Sequence, residues 1–63
     1  MHKILRLPAV KEVTGLSRST IYLKVSRGEF PEPIYISKRA VGWAELDIEN
    51  WIDEKITESR LRR

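Results

Sequence analysis

Apolar positions fall into four short patterned stretches, divided by glycine, proline or charged residues. Val10 and Val13 are three residues apart, with Leu7 just before them, which predicts a short helix from Leu7 with both valines on its buried face. Pro8 suits its first turn, where a missing N–H goes unnoticed, and Gly15 supplies the positive-φ stop. The chain restarts at once. Ser17 is placed to cap a second helix by accepting from the amide of Ser19 or Thr20, and that helix runs to about Arg27 before Gly28 ends it. Ile21 and Val25, four apart, form its buried stripe. Joined only through Thr14-Gly15-Leu16-Ser17, the two helices must cross steeply.

Phe30-Pro31-Glu32-Pro33 excludes helix, because each proline biases its predecessor toward extended geometry. Ile34-Tyr35-Ile36 and Ala40-Val41-Gly42-Trp43 then flank Ser37-Lys38-Arg39 as a small β-hairpin with a basic tip. Simple alternation puts Ile34 and Ile36 on the same face as Val41 and Trp43. From about Glu45 to Thr57, Ile48, Trp51, Ile52 and Ile56 mark one apolar helix face, and Glu45, Asp47 and Glu49 favour its N-terminal dipole. Residues 58–63 are expected to fray, and His2 to sit in a mobile terminus without partners for catalysis.

Composition narrows the function classes. With 63 residues, the chain is read as one domain over residues 1–63, too small to wall off a deep substrate cleft. It has no cysteine, so disulfides and thiolate metal sites are excluded. No apolar run approaches a membrane span, and the first residues lack the apolar core of a secretion signal, so a cytoplasmic location is expected. The net charge of +3 is unevenly distributed. Residues 1–44 hold eight Lys/Arg against three acids, residues 45–58 six acids against Lys55, and the last five residues three arginines. A polyanion is attracted to the first two-thirds and repelled by the segment that follows.

Helix, glycine turn, Ser-capped helix, basic hairpin and closing helix make an α+β, mostly α, winged helix-turn-helix layout. Gly15-Leu16-Ser17-Arg18-Ser19-Thr20-Ile21-Tyr22, Gly28 with Phe30-Pro31 and Pro33, Arg39-Ala40-Val41-Gly42-Trp43, and Ile48 with Trp51-Ile52 resemble the AlpA-type prophage regulators, small relatives of the excisionase and MerR-type winged-helix DNA readers. The resemblance spans about Arg6 to Ile56. It implies a DNA-binding transcriptional regulator of a prophage or other mobile element. Two positions depart from the pattern: Lys11 stands where helix-turn-helix units usually have a small residue, and Leu46 where the family often has a polar helix cap.

The residues point to the same surface. With Ile21 and Val25 facing the core, a 100° wheel turns Ser19, Tyr22, Leu23, Ser26 and Arg27 outward. Ser17, Arg18, Ser19 and Thr20 lie at the helix N-terminus, where amides and hydroxyls meet phosphates and Arg18 can reach guanine O6/N7. Arg18 is the expected base reader, with Ser19 and Tyr22 beside it; Leu23 is suited either to a thymine methyl or to packing against basic stems. Lys24 and Arg27 are candidate phosphate clamps, and Lys38 and Arg39 the wing contacts. Five ionic contacts correspond to a salt slope of roughly −4 to −5.

Other conspicuous residues have structural readings. Trp43 and Trp51 are expected in the core against Phe30 and Ile48, and Glu45, Glu49 and Asp53 form a solvated face rather than a metal site. No catalytic constellation, cofactor loop or small-molecule substrate is indicated, and the chain is not read as an enzyme. Double-stranded DNA is the expected partner, with a homodimer or cooperative oligomer on DNA to compensate for the small reading surface. Two alternatives stand beside the regulator: an excisionase-like directionality factor that bends DNA, and a protein-interaction module that docks through the acidic C-terminal helix.

Overall fold

The computed structural model describes residues 2–62. Helix α1 (Leu7–Thr14) is followed by α2 (Arg18–Ser26), the hairpin strands β2 (Ile34–Ser37) and β3 (Ala40–Ala44), and α3 (Glu45–Leu61); a two-residue strand, β1 (Ile4–Leu5), precedes them all. The sheet order is β1-β3-β2, antiparallel throughout. No helix among the described residues is long and apolar enough to cross a membrane.

Local chemistry accounts for the helix-turn-helix. Pro8 opens α1 and Gly15 closes it at φ 73°, its N–H donating to the Lys11 carbonyl at 2.8 Å. Thr14 folds back, its hydroxyl donating to the Val10 carbonyl (2.7 Å) and accepting from the Leu16 N–H (3.3 Å). Ser17 caps α2: the Thr20 N–H donates to Ser17 Oγ at 3.2 Å, and the Ser17 hydroxyl donates to Thr20 Oγ1 at 2.9 Å. Beyond Arg27, the Gly28 N–H bonds the Val25 carbonyl and the Glu29 N–H the Lys24 carbonyl. This is the paired closure of a Schellman motif, which turns the chain sharply toward Phe30. Lys11 is exposed, so the unusual residue in α1 leaves the crossing undisturbed.

Val10, Ile21, Phe30, Trp43 and Ile48 form the buried core, one residue each from α1, α2, the loop after it, β3 and α3. Leu5, Leu7, Val25, Trp51 and Ile52 pack around it. Phe30 meets Trp51 edge-on at 4.9 Å and Trp43 at 6.3 Å, while the Trp43 indole N–H donates to the Pro31 carbonyl at 2.9 Å. Both tryptophans therefore serve the core, and each indole nitrogen has a backbone acceptor.

Four expectations are corrected. Val13 lies outside the core, 54% exposed, because α1 buries its Val10 side and turns Val13 toward the second half of α3. In the hairpin, Ile34 stands opposite Gly42 and Tyr35 opposite Val41, with a register shift between Tyr35 and Ser37. Tyr35 thus shares the helix-facing side with Val41 and Trp43, and Ile34 and Ile36 lie on the outer face around Gly42. The N-terminal residues are ordered as β1: Leu5 pairs with Trp43, Ile4 with Ala44, and the Glu45 N–H donates to the Lys3 carbonyl at 2.8 Å. That bond satisfies a first-turn amide of α3, whose N-cap, Ala44, has no side chain able to do so. Finally, α3 continues to Leu61 instead of fraying at Glu58; acids in its first turn, Arg60 in its last and a Lys55–Glu58 pair at 3.2 Å all favour helix there.

Candidate nucleic-acid interface

The exposed side of α2 begins with Ser17, whose hydroxyl is engaged in capping, and Arg18, whose guanidinium carbon lies 5.8 Å from the Tyr22 ring centre. Tyr22 in turn leans on Trp43, ring centres 6.2 Å apart and planes tilted by 59°. Since Trp43 belongs to β3, this stack joins the start of α2 to the wing strand. Ser19, Leu23, Ser26 and Arg27 are also exposed, as the helical wheel requires, while Thr20 is half-buried by its bond to Ser17. Leu23 is 48% exposed. The Ser26 hydroxyl donates to the Leu23 carbonyl at 2.7 Å and is thereby occupied within the helix.

Not every basic group on α2 is equally free. Lys24 is half-buried and lies 4.0 Å from the Glu29 carboxylate beyond the helix. Arg18 and Arg27 are exposed. The wing tip carries Lys38 and Arg39, both exposed, on a turn where the Arg39 N–H donates to Ser37 Oγ at 3.4 Å. Ala40 is three strand steps from Trp43, so the tip reaches about 10 Å beyond the point where Tyr22 meets β3. Helix and wing thus present cations at the two ends of a surface whose middle is aromatic: Tyr22, Trp43 beneath it, and the exposed Tyr35 on the same sheet face nearer the tip.

One basic residue of this surface escaped sequence reading. Arg6, the residue before α1, donates from Nε to the Val41 carbonyl at 3.0 Å. It takes over the edge of β3 where β1 stops, and it stays exposed. Only the pairing of β1 with β3 brings it beside the wing; residues 6 and 41 share no local pattern.

The acids lie elsewhere. Glu45, Asp47, Glu49, Asp53 and Glu54 all belong to the first ten residues of α3, and none to α2 or the wing turn. The uneven charge along the chain is thus divided between elements, although Glu29 beyond α2 faces Lys24 and Glu45 lies 3.8 Å from Lys3.

Comparison with known proteins follows the same outline. Residues 3–56 match the family model of the Prophage CP4-57 regulatory protein (AlpA). Over 59 residues the chain is 39% identical to the DNA-binding transcriptional activator AlpA of Escherichia coli (strain K12), covering 84% of each chain. Over 54 residues it is 37% identical to the uncharacterized protein ORF88 of Enterobacteria phage P4, covering 86% of this chain and 61% of that protein. The chain therefore spans about three-fifths of the phage P4 relative's length. With the family model matched from β1 through most of α3, the chain belongs to the AlpA family of prophage regulatory proteins.

Proposed function

We propose that this protein is a sequence-specific DNA-binding transcriptional regulator of prophage or mobile-element type, reading the major groove with α2 and the flanking backbone with its wing. The observation that carries this reading is the Arg18–Tyr22–Trp43 stack, which holds the capped helix start and the basic hairpin as one cationic surface. The E. coli relative's description as a DNA-binding transcriptional activator supports it. Arg18 is assigned to a guanine, a bidentate contact worth about 1–3 kcal/mol of discrimination. Ser19, Tyr22 and Leu23 face the neighbouring bases. The amides of Arg18 and Ser19, between the mutually bonded Ser17 and Thr20, together with Arg27, hold phosphates. Lys38 and Arg39 clasp the backbone or minor groove beyond, and Arg6, latched to Val41, adds a further phosphate contact. Lys24 is a weaker clamp because Glu29 competes for it.

Selection from a randomised duplex pool, repeated with Arg18→Ala, tests the assignment. A recovered motif, binding that weakens with salt, and loss of preference at one or two base pairs in the variant are expected. A folded protein that enriches no motif and binds duplex without salt dependence refutes it.

A further inference from the structure

A groove of about 560 Å³ runs between the turn after α2 and the first half of α3, lined by Glu29, Asp47, Asn50, Trp51, Glu54 and Lys55 among others. The Trp51 indole N–H donates to the Glu29 carbonyl at 2.9 Å and the Phe30 ring abuts it at 4.9 Å, so this aromatic wall is fixed. Three carboxylates line it, Glu29 already facing Lys24 at 4.0 Å and Asp47 and Glu54 set against one lining cation, Lys55, whose Nζ lies 5.5 Å from the Trp51 ring centre. Such a groove favours an apolar group accompanied by a positive charge.

The same chain carries that combination. Past Ile56 every described residue of α3 is exposed; Leu61, 79% exposed, is followed by the exposed Arg62. At 100° per residue, Leu61 falls between Asn50 and Glu54 in direction, and Arg62 close to Trp51, so they lie on the groove-bearing side of the helix. Leu61 lies ten helical steps beyond Trp51, about 15 Å along the axis.

We infer that two copies associate through antiparallel α3 helices, each placing its Leu61 and Arg62 in the other's Trp51 groove. Reciprocal insertion makes the contact isologous, closed by a two-fold axis. The same offset sets Lys55 of each copy near Glu58 of the other, so the internal ion pair of each copy is replaced by one across the interface. Leu61 loses its exposure and the carboxylate-rich groove gains a cation. The contact involves none of the side chains assigned to DNA, so its test is made without DNA and its failure leaves the DNA assignment intact.

Two helix-end contacts are small for a stable dimer, so association is weak and is measured up to ~1 mM protein. Sedimentation equilibrium at low salt is expected to show a monomer–dimer equilibrium that salt shifts toward monomer. Leu61→Ala and Arg62→Glu each reduce the dimer, as does Glu54→Arg from the groove side, whereas Arg18→Ala leaves it unchanged. All these side chains are exposed, and circular dichroism checks that the variants fold. An equimolar mixture of Arg62→Glu and Glu54→Arg chains restores dimer that neither forms alone, because charge is then complementary at both ends. A parent protein that stays monomeric, variants that dimerise like the parent, or a mixture that stays dissociated overturns the inference.

Discussion

Gly42 in β3 is closely surrounded, and the effect of a side chain there can be worked out atom by atom. A Cβ added there would stand 2.5 Å from Ile4 Cγ2, 3.0 Å from the Leu5 carbonyl oxygen and 3.2 Å from Ile36 Cδ1. Carbon atoms rest about 3.5–4.0 Å apart, so Ile4 must yield by roughly 1 Å. Ile36 can swing its chain end, but Cγ2 of Ile4 branches next to the backbone and the Leu5 oxygen is backbone itself. Relief therefore displaces β1. Overpacking of this kind costs about 1–3 kcal/mol, and a 60-residue domain loses roughly 8 °C of Tm per kcal/mol. Gly42→Ala should thus lower the Tm by about 8–24 °C, read by circular dichroism or tryptophan fluorescence. The decisive comparison is a double-mutant cycle with Ile4→Ala. Removing Cγ2 eliminates the shortest contact, so Gly42→Ala should cost about 1 kcal/mol less in that background. An unchanged Tm for Gly42→Ala, or an equal loss in both backgrounds, refutes the reasoning that Ile4 is the obstacle.

Other predictions test single features of the helix-turn-helix and the wing. Ser17→Ala removes the acceptor for the Thr20 N–H and should cost about 1 kcal/mol in denaturant unfolding. Gly15 has open space around its Cα, so Gly15→Ala should cost only the left-handed backbone penalty of about 1–2 kcal/mol, with Gly15→Asn milder in the same assay. Arg39→Ala should weaken binding to all duplexes nearly equally and flatten the salt slope by about 1, whereas Arg18→Ala should discriminate between sequences; titrations on selected and scrambled duplexes at several salt concentrations separate the two.

Elements whose cause is local were legible in the chain. Gly15, Ser17 and Gly28 act on neighbouring amides, so the boundaries of α1 and α2 could be read from them. Trp43 and Ile48 were recognisable as core because large apolar side chains in so short a chain have few other places to go. Features settled by distant contacts were not legible. Two residues of β1 carry no periodicity, and only β3's free edge makes them a strand. The hairpin register depends on the shift between Tyr35 and Ser37, and displacing the pairing by one residue exchanges the faces of Ile34 and Tyr35. Val13 matches the spacing of a buried residue, yet α1 packs against β3 and α2 through its Val10 side and leaves Val13 exposed. At the candidate interface, the outward residues of α2 followed from the wheel. The pairing of Lys24 with Glu29 and the latch of Arg6 on Val41 required the fold.

The order β1-β3-β2 has a consequence for solubility. β1 covers one edge of β3, whereas the outer edge of β2 stays open, with Ile34, Tyr35 and Ile36 all exposed along it. Such an edge is a template for strand addition and aggregation. Here it is only four residues long, preceded by Pro31 and Pro33 and followed by Lys38 and Arg39. Prolines deny an incoming strand its continuation, and two cations at the tip repel the same tip of another copy. The charges suited to a phosphate backbone therefore also act as gatekeepers, keeping free protein from stacking wing to wing at the concentrations where its copies would meet.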